Sequence, residues 1–492
     1  MKRPGLVLLA FLLSALLFGE EYSYGTQAVQ NLTDTADQKK TIISFNNTVY
    51  RGTSLLETLP LMEEVYELEI RFGDSSVLLK EDDLAEYWGE ALFIEEKGAV
   101  TGLIFKDRLY SNLKSLSYKG TPMESDQLEV WLSWEGTDVL KGEIEDFASR
   151  HGIRIKALEV PRPDSKLQSV VRARGDVPDL VMIQSSAVEK LVSARALQNI
   201  DYFVKPPLVP QGKEAFTLNS RLWALPFYFD TQLVYYNRKL LDSPPSPDWT
   251  LQDMENAARR IREKEKDIHP MAWNAYSSNW LIPFQISFGK ERLIEADGTI
   301  TVDDRATAQA LAYILDLKDR GLLSPLERDA MDALFISEKA GMILSGSYAI
   351  PYFESLELDF GVLPYPVNES TGFPVSPLLD FKAFCLTRQT KHPILARRLL
   401  QHLTGTGVQQ RFCPALAKMP ARMDVLETPG LSYGYLSILK STVDHGTVIP
   451  PEQVYSVYKN NMWKLLRFAL SGRMTVEETL RRGQMLMDNS TP

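Results

Sequence analysis

Val177-Pro-Asp-Leu-Val-Met-Ile-Gln184, Leu197-Gln-Asn-Ile-Asp201, Leu222-Trp-Ala-Leu-Pro-Phe227 and Leu233-Val-Tyr-Tyr-Asn-Arg-Lys-Leu-Leu241 lie within one stretch, residues 175 to 241, whose reading decides the fold. The first run is apolar almost throughout, as a strand covered on both faces requires. A helix and a second strand ending in Tyr-Tyr-Asn follow it.

Upstream, Leu128-Glu-Val-Trp-Leu-Ser-Trp134 reads as a strand, and residues 137 to 151 as a helix with Leu140, Ile144 and Phe147 on one side. Gly152-Ile-Arg-Ile-Lys-Ala-Leu-Glu-Val160 is a second strand. Strands alternating with helices at this spacing predict βαβ units and an α/β architecture. Open sheets of that kind gather ligands at the carboxyl ends of their strands, which brings Ser133-Trp134-Glu135-Gly136 and Gln184-Ser185-Ser186 to one rim.

The front of the chain differs. Thr41 to Phe45 and Thr48 to Tyr50 flank Asn46-Asn47, a hairpin signal, and Tyr66 to Phe72 alternates before Gly73-Asp74. Glu81 to Trp88 suggests a short helix, with further strands at Leu103 to Phe105 and Leu113 to Tyr118. Residues 41–120 are therefore expected to form a small β-rich domain, either packing against the body as a spacer or docking a partner. A polar, flexible stretch from Thr26 to Lys40 is expected before it. Lys2 and Arg3 precede an apolar run from Leu6 to Phe18, which as helix would span about 20 Å against a hydrocarbon core of roughly 30 Å. It reads as a secretory signal over residues 1–25, with cleavage between Gly19 and Gly25 or retention as an anchor both open, and no Cys follows it for lipid attachment.

At 492 residues the chain is too long for one ordinary domain, and 44% hydrophobic with 24% charged residues is normal for a globular protein. A formal charge of −10 argues against nucleic acid as a partner, because phosphate neutralisation needs clustered Lys and Arg. The basic residues of the helix over 251–266 are interspersed with Glu255, Glu263 and Glu265, as on a solvated face. Cys385 and Cys413 fit either a disulfide or two buried thiols. The five histidines are scattered without metal-ligand spacing, and neither G-x-S-x-G nor a P-loop occurs, so no metal, cofactor or catalytic residue is assigned.

Four segments in order carry a resemblance: Tyr235-Tyr-Asn-Arg-Lys-Leu-Leu241 with Pro244-Pro245 and Trp249, Gly341-Met-Ile-Leu-Ser-Gly-Ser-Tyr348, Phe360-Gly-Val-Leu-Pro364, and Ser471-Gly-Arg-Met-Thr-Val-Glu-Glu-Thr-Leu480. Over residues 127 to 490 the chain resembles the extracytoplasmic solute-binding proteins of ABC importers, in the maltodextrin-binding class. The resemblance implies a two-lobed periplasmic-binding-protein fold of type II-like architecture, preceded here by the small β-rich domain. Lobe one would comprise 127–229 and 380–425, and lobe two 232–378 and 430–490. It implies an exported, monomeric protein, periplasmic or membrane-associated, that encloses a small solute, a carbohydrate above all, and delivers it to permease subunits.

The strand-end rim and the resemblance together give an expected ligand set of Trp134, Glu135, Gln184, Ser185, Asp230, Asn279, Trp280, Tyr348 and Asp380. A carboxylate such as Asp230 offers several lone pairs to neighbouring sugar hydroxyls. Trp273-Asn-Ala-Tyr-Ser-Ser-Asn-Trp280 supplies flat faces and amides suited to pyranose rings, with Asn279 and Trp280 preferred over Trp273. Each of these residues also has a plainer reading: a surface turn for Trp134 and Glu135, a loop acid for Asp230, burial for the aromatics, a hinge tie for Asp380. After Asp179, Ile183, Ser186 and Ala187 stand where the maltodextrin binders carry an aromatic residue and an Asp-Arg pair, so maltose is not implied. A sensor component signalling to a membrane receptor is the alternative function, and a glycoside hydrolase using two of these carboxylates is a third.

Overall fold

The computed structural model describes residues 127–489, except 202–205, 242, 266, 296 and 430–434, together with strands lying between residues 23 and 121. In chain order the body contains β1 (Gln127–Leu132), β2 (Arg154–Glu159), β3 (Leu180–Gln184), β4 (Leu225–Asp230), β5 (Gln232–Asn237), β6 (His269–Trp273) and β7 (Leu323–Pro325). It continues with β8 (Ala340–Gly346), β9 (Phe360–Leu363), β10 (Leu378–Leu386), β11 (Met419–Pro420) and β12 (Thr447–Val448). These form two mixed sheets. Lobe one has the order β2-β1-β3-β10-β4-β11 with β12 beside β10, and lobe two has β7-β6-β8-β5-β9.

Every residue of β4 and β5 is buried, which explains why that stretch is so apolar. The strands are separated by Thr231 alone, so one peptide segment passes from the strand next to the edge of one sheet to the strand next to the edge of the other. Helices cover both sheets. Helix α1 (Thr137–His151) turns its Leu140, Ile144 and Phe147 inward, and α2 (Leu251–Lys264) does the same with Met254, Ala257, Ala258 and Ile261. On α2 the buried Glu255 accepts from Arg259 and Arg320, so part of its charge is spent internally. Helices α3 (Gln453–Leu470) and α4 (Val476–Asp488) pack together, and a Thr475/Glu478 capping box starts α4 by satisfying two of its orphan N–H groups.

Among the described residues, the two lobes are joined at three crossings. At the first, the Ser347 N–H donates to the Thr231 carbonyl at 2.7 Å and the Thr231 N–H donates to Ser347 Oγ at 3.1 Å. At the second, Gln232 accepts from the Leu378 N–H at 3.0 Å and donates to the Asn279 carbonyl at 2.9 Å. At the third, β12 runs parallel to the start of β10 before the chain enters α3. These bonds satisfy the backbone where sheet pairing stops, which keeps a narrow polar neck from being an energetic weak point.

In the front segment, Ser23–Ala28, Leu113–Thr121, Glu64–Phe72 and Ser75–Lys80 form a four-stranded antiparallel sheet, and a second sheet has five strands. This is β-rich as expected, but the sheet reaches back to Ser23. Thr26, Gln27 and Ala28 pair with Ser117, Leu116 and Ser115, so they belong to a strand where a flexible linker was expected. Ladder hydrogen bonds to partners about 90 residues away override their polar composition. The signal segment up to Tyr22 and the helix expected over 81–88 lie outside the described residues. Cys385 and Cys413 are free buried thiols, and Cys385 Sγ donates to the Val181 carbonyl.

Candidate functional site

Strand direction decides which side chains meet. In the lobe-one sheet β1 and β3 are parallel and offer their C-terminal ends. The antiparallel neighbours β10, β4 and β11 bring to the same edge the start of β10, the end of β4 and the start of β11. Trp134, Glu135, Gln184, Ser185, Tyr228, Asp230, Asp380, Lys382 and Lys418 therefore share one rim. Trp134 and Gly136 make the turn after β1 with φ of 66° and 81°. A Cβ on Gly136 would lie 2.2 Å from Leu416 Cδ1, so only glycine fits there.

The centre of this rim is a buried ion pair. Lys418 Nζ donates to both carboxylate oxygens of Asp230 at 3.0 Å and lies 3.4 Å from Glu135 Oε2. The Lys418 and Asp230 side chains are 1% and 5% exposed, whereas Glu135 is 51% exposed. From lobe two, Ser347 Oγ donates to Asp230 Oδ1 at 2.8 Å. Burial alone would lower the Lys418 pKa, but Asp230 and Glu135 outweigh it and hold the ammonium above the ordinary lysine value. A second unit stands beside the first, in which Asp380 accepts from Lys382 at 2.6 Å and from Gln184 Nε2 at 3.2 Å. Lys382 is buried and its Nζ lies 5.4 Å from the centre of the Trp134 ring. In both units the ammonium is underneath. Glu135 and Asp380 retain exposed acceptor capacity, and the lysines neutralise most of the charge. Such a rim suits a neutral hydroxylated molecule.

Tyr228 is fully buried in the same rim, and its hydroxyl finds no partner among the described residues. Burial, with Asp230, Glu135 and Asp380 adding, pushes its pKa well above the ordinary tyrosine range, so it stays a neutral donor. Ser185 is also fully buried, and its hydroxyl finds no partner among the described residues.

The facing rim of lobe two is aromatic. Strands β6, β7 and β8 are mutually parallel and end together. Tyr348, just beyond β8, is half-buried with the Arg328 guanidinium 4.4 Å above its ring. Gly346 leaves room for that ring, since a Cβ there would lie 2.2 Å from Tyr348 Cε1. Trp280 is half-buried nearby. Asn279 holds the neck as well as the rim, because its Oδ1 accepts from the Tyr455 hydroxyl at 2.7 Å. Trp273 is fully buried and stacked on Phe284 at 6.0 Å, which makes it core.

The nine residues assigned from the sequence thus fall on the two rims that meet at Thr231. Lys382, Lys418, Ser347, Gln232, Tyr228, Arg328 and Tyr455 were not assigned. Lys382 had a signal, since Asp380 and Lys382 stand at i and i+2 inside an otherwise apolar strand and so share a face. Lys418 had none, being paired with a carboxylate 188 residues away.

A model of the bacterial extracellular solute-binding protein family matches residues 144–433, more than half of the chain. The maltotriose-binding protein of Pyrococcus abyssi is 22% identical over 343 residues, covering 66% of this chain and 73% of that protein. The galactooligosaccharide-binding protein of Bacillus subtilis is 19% identical over 336 residues, covering 65% and 78%. Among solved structures, the GacH receptor of Streptomyces glaucescens superposes with a TM-score of 0.65 at 20% identity, covering 75% of this chain and 100% of that one. At that identity the likeness establishes the two-lobed fold.

Proposed function

The chain belongs to the bacterial extracellular solute-binding proteins, and from that premise we propose that it captures a carbohydrate between its lobes for delivery to an ABC transporter. Relatives that bind maltotriose and galactooligosaccharide support the solute class. The observation that carries the reading is the chemistry of the two rims. Half-exposed rings at Tyr348 and Trp280 stand on one, with Trp134 and the accessible carboxylates Glu135 and Asp380 on the other. Rings stack on the apolar faces of pyranoses, and carboxylates accept from their hydroxyls.

Capture works by closure. A sugar that touches both rims at once binds the closed arrangement more tightly than the open one and shifts the population toward it. The neck bonds through Ser347, Gln232 and Asn279 keep that motion a hinge. We read the site as binding without catalysis, because its relatives are binding proteins and the Asp230 and Asp380 carboxylates are each held in an ion pair with a buried lysine. We further read the apolar run after Lys2 and Arg3 as the export signal, and permease subunits as the receiving partners of a monomer. Among the described residues, no helix is long and apolar enough to cross a membrane.

The test is thermal unfolding of purified protein, kept intact from Tyr22 onward, against mono- and oligosaccharides, polyols and peptides. A concentration-dependent rise in Tm with one sugar class is expected, about 2.7 kcal/mol of added stability at a hundredfold excess over Kd. A rise only with peptides or polyols would refute the carbohydrate assignment.

A further inference from the structure

In the five-stranded front sheet the order runs Thr41–Phe45, Thr48–Ser54, Leu92–Glu96, Ala99–Phe105, Arg108–Ser111, which makes Thr41–Phe45 an edge strand with Thr48–Ser54 as its sheet partner. An edge strand turns one row of backbone N–H and C=O groups away from its own sheet, and folded proteins cover or blunt such rows. Here the strand lies against the lobe-one helix Thr406–Ala415. Of the ten residues of that helix, Ala415 alone is exposed. A helix resting on one layer keeps a solvated side, whereas one buried nearly all round lies between two layers.

The second layer is the ligand rim. The Phe412 ring centre lies 5.3 Å from that of Tyr228 and 4.8 Å from that of Phe227. Phe412 and Leu416 also press on the turn that carries Trp134 and Glu135, where a Cβ at Gly136 would stand 2.6 Å from Phe412 Cε2 and 2.2 Å from Leu416 Cδ1. Arg411 donates to both carboxylate oxygens of Glu143 at 2.8 and 2.9 Å, which ties the helix to α1, the element that this turn begins. Past the end of the helix, the Lys418 N–H donates back to the Cys413 carbonyl at 2.9 Å. The lysine that holds Asp230 and Glu135 is thereby fixed to the last turn of the same helix. Close-packed interiors transmit displacement, so a shift of Phe412 or Leu416 on the rim side reaches the outer side.

We propose that the front domain is seated on lobe one through Thr41–Phe45 and the helix Thr406–Ala415, and that this helix couples the seat to the ligand rim. A solute held at Trp134 and Glu135 fixes their turn against Phe412 and Leu416 and tightens the seat. By linkage, the seated front domain raises affinity for that solute. The front domain is then the part of the chain that registers occupancy of lobe one. This goes beyond solute capture and holds for any solute class that reaches Glu135.

The test is amide hydrogen exchange, read by mass spectrometry on the protein kept intact from Tyr22 onward, as wild type, Gly136→Ala, Gly152→Ala and Phe412→Leu, with no solute added. Ser75–Lys80, the edge of the four-stranded front sheet, is the reference strand, and α2 in lobe two reports global opening. In the wild type, Thr41–Phe45 should exchange at least about tenfold more slowly than Ser75–Lys80. Gly136→Ala drives a methyl group into Phe412 and Leu416 and should speed exchange of Thr41–Phe45 roughly five- to tenfold, with Ser75–Lys80 and α2 unchanged. Gly152→Ala places similar backbone strain, at φ of 66°, at the far end of α1 where a Cβ meets open space, and should leave Thr41–Phe45 at the wild-type rate. Where Gly136→Ala speeds α2 as well, it has opened the whole body, and Phe412→Leu, which thins the same packing, decides by the same readout. Wild-type exchange of Thr41–Phe45 as fast as that of Ser75–Lys80 overturns the seat. A slow wild type whose rate neither Gly136→Ala nor Phe412→Leu changes, or an equal change in Gly152→Ala, overturns the coupling. Neither outcome bears on the carbohydrate assignment, because no sugar is present.

Discussion

Replacing Lys418 by Met removes an ammonium that is 1% exposed and leaves Asp230, 5% exposed, with the Ser347 hydroxyl as its remaining hydrogen-bond donor among the described residues. Methionine matches the aliphatic stem, so the loss is electrostatic. A carboxylate stripped of its partner in such a place costs about 3–5 kcal/mol, because its desolvation is no longer offset. Adding Asp230→Asn removes the stranded charge as well, and the double variant should recover most of the loss, since pairs of this kind contribute little net over neutral replacements. The assay is urea unfolding followed by tryptophan fluorescence, which reports the shift of the midpoint at constant slope. The pH dependence has a definite sign. The folded pKa of Lys418 is raised, so its stabilisation is complete below the ordinary lysine pKa of about 10.4 and is lost as pH climbs through the folded value. The difference between wild type and Lys418→Met should therefore be flat from about pH 6 to pH 9 and shrink only above that lysine range. A loss under about 1 kcal/mol at neutral pH would mean that water reaches the pair and would refute the buried-neck argument.

Gly346→Ala tests the placement of Tyr348 without touching the ring itself. The backbone there has φ of −83°, which alanine adopts freely, but its Cβ would stand 2.2 Å from Tyr348 Cε1 and turn the ring away. Sugar affinity by calorimetry should fall by roughly three- to tenfold, while Tm moves little. Unchanged affinity would remove Tyr348 from the ligand. The two thiols should be inert in the folded protein, because burial pushes Cys385 up to about 12 and also raises Cys413, the latter against the opposing pull of Lys418. Mass spectrometry after iodoacetamide treatment at pH 8 should find both unmodified until urea unfolds the chain. Rapid labelling without denaturant would contradict their burial.

Periodicity and local chemistry made much of the fold legible. The continuous apolar runs of β3, β4 and β5 announce strands covered on both faces, and the Gln127 to Glu159 stretch announces a βαβ unit. The Thr475/Glu478 capping box is a four-residue signal that survives without any tertiary context. Strand order is less local. Once β1 and β3 are parallel, Trp134, Glu135 and Gln184 stand at the carboxyl ends of their strands, and that placement could be read in advance, whereas Asp230 was expected there from the family resemblance.

By itself, the sequence determined the class of fold and which residues stand at the ends of its strands, because backbone propensity and burial pattern act over a few residues at a time. The tertiary structure alone decided how those edge residues are used. Asp230 is acidic in any reading, yet its state depends on Lys418 and Ser347, which lie 188 and 117 residues away. Trp273 and Trp280 belong to one aromatic segment, and only packing against Phe284 sends the first to the core and leaves the second at the rim. Thr26 to Ala28 look like linker and become strand because Ser115 to Ser117 pair with them. In each case the deciding energy is desolvation or hydrogen bonding between distant groups. Such terms exist only once the chain has closed on itself, so no local pattern encodes them.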